Sequence, residues 1–311
     1  MLPTLHDLVQ FVPLGLAVGA VYGVSGVGIV VLYRTTGVLN FAYGAIGALG
    51  VFIAFELLNN EATSWCPDWL GYLACVLVGG AVMLAYGLVF GPVFAARDPL
   101  VKAAATLGLM LILLAVMSWI WPSNEVRAVQ LPSDGWHNYG YQIGDVRVSW
   151  TKIIALVFAF GVTAVTTLFL RYTKLGTAYR AVANDREITA TLGVPVRRVE
   201  TSAWLVSGFV CGASGLLLSG LINSLDAATL TFLVISSLAA ALIGRLQSLW
   251  VTLGAALVIG VVESCLQAFS LWPNESQPLA QYRAMTPFVL AIAALLLLGR
   301  RRELTLSRAG H

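Results

Sequence analysis

Nine long apolar stretches, at about 8–33, 38–58, 69–95, 100–121, 151–171, 201–222, 227–244, 249–271 and 284–299, take up most of the 311 residues and leave only short polar breaks. A run of about 20 apolar residues crosses the ~30 Å hydrocarbon core of a bilayer as one helix. In lipid every backbone polar group must be bonded within the protein, which leaves helices and closed barrels as spanning structures. Barrels need short alternating segments, whereas these runs are long and continuous. Only 11% of the residues are charged, against about 25% in a soluble domain, so a water-soluble fold is excluded. The 30 glycines and 11 prolines exclude a coiled coil. The chain reads as all-α, a polytopic membrane bundle of about eight to nine transmembrane helices forming one domain over 1–311. The first run lacks the charged n-region and cleavage site of a signal peptide and is expected to remain as a span.

The breaks carry charge unevenly. Segment 171–200 holds Arg171, Lys174, Arg180, Arg186, Arg197 and Arg198, and the tail 300–311 holds Arg300, Arg301, Arg302 and Arg308. The longer segment 122–150 holds only Arg127 and Arg147. By the positive-inside rule the first two are cytoplasmic and the third is external. Alternation then puts Arg34, Arg97, Lys102 and Arg245 inside and Lys152 and Arg283 outside, 14 basic residues against 4 of the 18. Nine crossings give an external N-terminus and a cytoplasmic C-terminus. Stretch 38–58 follows the polar break Arg34-Thr35-Thr36-Gly37 and is rich in Gly and Ala. It reads as a broken or re-entrant segment; if it re-enters, eight runs cross and the N-terminus moves inside.

Segment 171–200 predicts a helix of its own. No Gly or Pro occurs from Thr177 to Leu192, Gly176 precedes that stretch, and Gly193 and Pro195 follow it, which are helix start and stop signals. Ala181, Ile188 and Leu192 recur at helical spacing, as do Ala178, Val182 and Thr189, while Arg180, Asn184, Asp185 and Glu187 mark the wetter face. A helix lying on headgroups shows large apolar anchors and a Lys/Arg face. This one is small-sided and of mixed charge. Docking on another protein and lying on membrane lipid both remain open.

Other features sit inside the apolar runs. Gly15, Gly19 and Gly23 repeat a small-xxx-small spacing that lets helices approach closely. Asn40 follows a polar break, and Glu263 lies within Val258–Ser264. Polar groups at membrane depth must be satisfied or face water. Asn40 is therefore a helix cap or part of a translocation path built on a broken helix. Glu263 is either paired in a helix contact, with Arg245 as a weak candidate, or lines a cavity. Cys66, Cys75, Cys211 and Cys265 have no metal-ligand spacing and read as small core residues. His6, His137 and His311 lie far apart and outside the spans. No basic stripe suggests nucleic acid.

Several of these pieces resemble the branched-chain amino-acid ABC transporter permeases. Leu39-Asn40-Phe41-Ala42-Tyr43-Gly44 is similar to that family's I-N-F-A-H-G, with Tyr43 in place of His. Lys174-Leu175-Gly176, Arg180-Ala181-Val182-Ala183-Asn184-Asp185 and Leu192-Gly193-Val194 resemble its ATPase-contacting loop, with Thr177 where Arg often stands. The family often has a Glu where Glu263 falls. Its Gly-rich segment is reduced here to Gly244 and Ser248, with Arg245, Gln247 and Trp250 replacing small or turn residues.

The resemblance covers about residues 13–300. It implies a permease subunit of an ATP-driven importer in the bacterial inner membrane, carrying a branched-chain amino acid or a related small polar solute such as urea or an amide. It implies a second homologous permease, two cytoplasmic P-loop ATPases holding ATP and Mg, and an extracytoplasmic solute-binding protein that meets loop 122–150. By the same resemblance Gly176, Arg180, Ala181, Asn184, Asp185, Leu192 and Gly193 couple to an ATPase, and Asn40, Tyr43 and Glu263 lie along the path.

The chain has no G-x-x-x-x-G-K-[ST] phosphate loop, so ATP-driven transport needs another subunit to hydrolyse ATP, and no cofactor is expected on this chain. An ion-coupled secondary transporter would need intramembrane titratable groups, of which only Glu263 is a candidate. A membrane enzyme needs a cluster of His, Asp or Arg that does not appear. A channel leaves the helix at 177–192 without a purpose.

Overall fold

The computed structural model describes residues 5–59, 67–94, 97–122, 140–143, 146–222, 225–268, 285–294 and 296. Ten helices follow in chain order: α1 (Leu5–Thr36), α2 (Tyr43–Asn59), α3 (Asp68–Phe94), α4 (Pro99–Ile120), α5 (Trp150–Tyr172), α6 (Lys174–Asn184), α7 (Arg186–Thr191), α8 (Val196–Ile222), α9 (Ala227–Ile243) and α10 (Leu249–Ala268). A further helical stretch runs over 286–294. Ahead of α5 stands an antiparallel hairpin of β1 (Gly140–Ile143) and β2 (Val146–Ser149), in which Tyr141 pairs with Val148. This hairpin lies inside the expected loop 122–150, where no strand was expected.

Six helices are long and apolar enough to cross a membrane by length and composition: the bodies of α1, α3, α4, α5, α8 and α10. Helices α2 and α9 are apolar but have 17 residues each, about 25 Å at 1.5 Å per residue. Against the expected eight to nine spans, the described residues hold six helices of spanning length and two shorter apolar ones.

Helix α1 is the axis of the bundle, buried through most of its length against α10, α8, α5 and α9. Its glycines explain how. A Cβ on Gly15 would lie 2.6 Å from Val261 Cα, one on Gly19 2.7 Å from the Ala256 carbonyl, and one on Gly23 2.5 Å from Leu253 Cδ1. The small-xxx-small repeat is therefore the α1–α10 seam, where backbones nearly touch. Lipid tails are as apolar as leucine, so contact of this kind rather than hydrophobic burial holds membrane helices together. Helices α3 and α8 repeat the device, with Gly79 against Gly208 and Gly212. The outer faces of α3, α4 and α5 expose Leu77, Ile112, Val157 and Val165, an apolar surface that membrane or protein must cover.

The passage from α1 to α2 is not helical. Residues 37–42 form an extended stretch that turns inward at Gly37 (φ +68°), with Val38, Asn40 and Ala42 buried. Tyr43 sits beside Ser207, eleven residues beyond the start of α8. At 1.5 Å per residue, α2 begins about 16 Å inside the end of the bundle where α8 starts. Bare backbone at that depth needs partners. Thr106 of α4 supplies them: its Oγ1 accepts from Phe41 N–H at 3.2 Å and lies 3.0 Å from the Leu39 carbonyl.

Candidate functional site

Two groups of predicted residues fall in two places. Gly176, Arg180, Ala181, Asn184, Asp185, Leu192 and Gly193 come together on the α6–α7 segment between α5 and α8. Asn40, Tyr43 and Glu263 lie within the bundle.

The α6–α7 segment is not the single helix expected over 177–192. It begins earlier, at Lys174, because the Thr173 hydroxyl caps it by accepting from Gly176 N–H at 2.9 Å. It breaks at Asp185, which is extended (φ −153°, ψ 112°) and caps α7 by accepting from Ile188 N–H at 2.9 Å. A carboxylate in that position satisfies an orphan N–H of the new helix and so favours a break over continuation. Asp185 is thus a hinge. Gly176 is no boundary either. It lies in the first turn of α6, buried where a Cβ would strike the backbone of Phe169 and Leu170. Gly193 does end α7: at φ +82° its N–H meets the Ala190 carbonyl at 3.1 Å and Val194 N–H the Thr189 carbonyl at 3.4 Å. That is a left-handed cap that suits glycine.

One face of the segment is pinned to the bundle. Tyr179 and Val182 are buried, the Tyr179 hydroxyl lies 2.8 Å from Ser202 Oγ on α8, and its ring meets Phe169 edge-on at 5.8 Å. Burial pushes the Tyr179 phenol above its ordinary value, so it stays a neutral donor. Arg186 pairs with Glu200 of α8 at 2.8 Å, and the hydrogen bond it donates to that carboxylate raises its already high pKa. Away from that face three large apolar side chains stand open among exposed polar ones such as Lys174, Thr177 and Glu187: Leu175 is exposed, Ile188 is 59% exposed and Leu192 76%. The expected stripe Ala181, Ile188 and Leu192 therefore faces away from the core in its last two members, while Ala178, Val182 and Thr189 face inward. Arg180 and Asn184 border an open cleft beside α6.

Within the bundle, Asn40 is 1% exposed. Its Oδ1 accepts from Ala42 N–H at 2.9 Å and its Nδ2 approaches Met83 Sδ at 3.1 Å. It organises the entry to α2. Tyr43 is buried, donates to the Ser207 carbonyl at 3.1 Å, and fits because Gly28 leaves room for its ring. Glu263, 5% exposed, accepts from Tyr22 of α1 at 2.6 Å and Ser236 of α9 at 3.0 Å. Arg245 is not its partner: fourteen residues of α10 separate Glu263 from Leu249, about 21 Å. None of the three meets another, and each ties helices together in this conformation.

Thr173, Tyr179 and Glu200 at the segment, and Tyr22 and Ser236 around Glu263, were not singled out from the sequence. A threonine directly before a helical run is an N-cap signal that was legible for Thr173. Tyr22 and Ser236 come from helices distant in sequence and left no signal. Cys75 and Cys211 are buried in the core as expected. Among the described residues no group of three His, Cys, Asp or Glu could hold a metal. Cys66, most of loop 122–150 and the arginines of the tail lie outside the described residues.

The profile of the branched-chain amino acid transport system / permease component family matches residues 12–298. LivH of Salmonella typhimurium, a high-affinity branched-chain amino acid transport system permease protein, is 21% identical over 294 residues, covering 91% of each chain. A probable LivH of Methanocaldococcus jannaschii is 28% identical over 278 residues, 87% of this chain and 84% of its own. LivM of Escherichia coli, also named a permease protein of such a system, is 24% identical over 273 residues, 80% of this chain and 62% of its own.

Proposed function

This chain belongs to the branched-chain amino acid transport permease family, and from that premise we propose that it is the membrane subunit of an ATP-driven importer. Its solute is a branched-chain amino acid or a related small polar molecule. It sits in the cell membrane as a multi-pass protein, pairs with a second, related permease, and takes solute from an extracytoplasmic binding protein. Two cytoplasmic ATPases with bound ATP and Mg drive it. That two differently named permease proteins, LivH and LivM, both match this chain supports a paired permease. The chain makes no covalent change in the solute.

One observation carries the reading: the capped, hinged α6–α7 segment, clamped to α8 on one side and presenting Leu175, Ile188 and Leu192 on the other. A rigid apolar projection between two spans is what an ATPase without membrane helices needs in order to move a permease that has no phosphate loop. ATP-driven closure of the ATPases favours one arrangement of the permease pair, and hydrolysis returns it; the coupling is as large as the segment's preference for one ATPase conformation. Gly176, Arg180, Ala181, Asn184, Asp185, Leu192 and Gly193 shape or border this segment. Asn40, Tyr43 and Glu263 hold the helices along which the path opens between the two permeases.

The test is a gentle-detergent purification of the tagged chain, followed by uptake and ATPase assays in liposomes. P-loop ATPases and a second polytopic subunit are expected to co-purify. Ile188→Asp and Leu192→Asp, both on exposed positions, are expected to leave the bundle folded and cut substrate-stimulated ATPase activity and uptake at least tenfold. Solute movement by the chain alone without ATP, or unchanged coupling in both variants, overturns the proposal.

A further inference from the structure

Four arginines from separate elements meet around one cleft of about 650 Å³: Arg34 in the last turn of α1, Arg180 on α6, Arg186 opening α7, and Arg245 in the α9–α10 turn. Arg186 is neutralised by Glu200 at 2.8 Å. Among the described residues the other three have no acidic partner. Arg34 donates to the Gln247 carbonyl at 3.2 Å and Arg180 to Thr177 Oγ1 at 3.4 Å, and the Arg245 side chain makes no hydrogen bond or ion pair among the described residues. Among the described residues no carboxylate lines the cleft; Tyr33, Asn184 and Gln247 complete a polar wall.

The position of Arg245 is costly. It occupies the left-handed cap position after α9 (φ 56°), followed by Leu246 at φ 54°, with Leu246 N–H bonded to the Ala241 carbonyl and Arg245 N–H to the Leu242 carbonyl, both at 2.8 Å. Glycine suits that slot, and a side chain there costs about 1 kcal/mol. Gly193 fills the equivalent slot of α7. At the α9 cap a strained arginine lines the same cleft as two other cations that have no acidic partner among the described residues.

We propose that this cleft binds a phosphate-bearing anion, either the headgroup of an anionic phospholipid or a soluble phosphate ester. Guanidinium forks match phosphate oxygens two at a time, and basic pockets between membrane helices take lipid headgroups by the same chemistry. The volume suits a small ligand. A protein partner has its own surface in Leu175, Ile188 and Leu192, none of which lines the cleft. Since α6 forms one wall and α1 with the α9–α10 turn the other, the bound anion braces α6 against the bundle. On the importer reading, occupancy therefore sets how firmly the ATPases are coupled; the binding itself does not depend on that reading.

The test uses the full chain in detergent and needs no ATP turnover. Native mass spectrometry is run with dioleoyl phosphatidylglycerol and dioleoyl phosphatidylcholine, and thermal shift with adenosine monophosphate. The anionic lipid is expected to be retained at least fivefold over the zwitterionic one. Arg34→Gln and Arg245→Gly are each expected to reduce that preference about threefold or more, with Arg97→Gln, exposed and outside the cleft, leaving it unchanged. Arg245→Gly suits the left-handed slot, so its melting temperature holds or rises and a binding loss cannot be a folding loss. No lipid preference, but stabilisation by adenosine monophosphate that Arg245→Gly abolishes, identifies the soluble source. Neither effect, or an equal loss in Arg97→Gln, overturns the proposal.

Discussion

Glu263 shows how a polar residue survives inside an apolar helix. Its carboxyl receives hydroxyls from α1 and α9, so it joins three helices at one point. Removing it takes this acceptor away from both buried hydroxyls, at a cost of about 1–3 kcal/mol for each bond lost. Glu263→Ala is expected to lower the melting temperature clearly, while Glu263→Gln, which keeps one of the two acceptor oxygens and turns an amide donor toward the other hydroxyl, is expected to fall between Glu263→Ala and the parent in stability. A fully stable Glu263→Ala would remove the helix-tying role. Tyr179 makes a pH prediction. Burial raises its phenol above 10.0, so the folded state favours the neutral form. That contribution is fully present below the unfolded value and is lost only as pH climbs through the raised one. The effect of Tyr179→Phe on coupling is therefore expected to be equal at about pH 6.5 and about pH 8.5; a pH-dependent effect would contradict the neutral-donor geometry.

At the scale of elements, two devices do most of the organising. One is the glycine seam. Gly19 meets the α10 backbone, whereas a Cβ on Gly161 of α5 would meet nothing within 4 Å. Gly19→Val is expected to force α1 and α10 apart and sharply reduce folded protein in detergent, with Gly161→Val close to the parent by size-exclusion chromatography. Equal behaviour of the two would mean the seam is not what assembles α1 and α10. The other device is the local cap. Thr173, Asp185 and Gly193 divide one apolar-periodic stretch into two helices and set the angle of each. The residues of the α6–α7 segment were legible as one unit because they lie within one short stretch of sequence. Its break was not, because helical periodicity runs straight through Asp185, and only the geometry of the cap ends α6 there.

For the molecule as a whole, four of the basic residues assigned to one side by charge counting come together in one place. Arg34, Arg180, Arg186 and Arg245, far apart in sequence, line the same cleft. This predicts membrane sidedness. With Cys66 and Cys265 replaced by Ser, Leu192→Cys is expected to react with an impermeant maleimide in inside-out vesicles and not in intact cells. Labelling from outside would invert the topology and remove any ATPase contact at α7.

The sequence alone determined that this chain lives in a membrane as a helical bundle, since no other structure satisfies the backbone of such long apolar runs in lipid. It also determined where the basic breaks and the extra helical segment before α8 fall, because charge and helix punctuation are local. Which polar groups meet was decided by the tertiary structure. Asn40 as a cap, Glu263 held by Tyr22 and Ser236, α2 starting deep inside the bundle, and the arginine-lined cleft all depend on helices distant in sequence. Hydrogen bonds and like-charge repulsion act over a few ångströms, and only packing brings such groups that close.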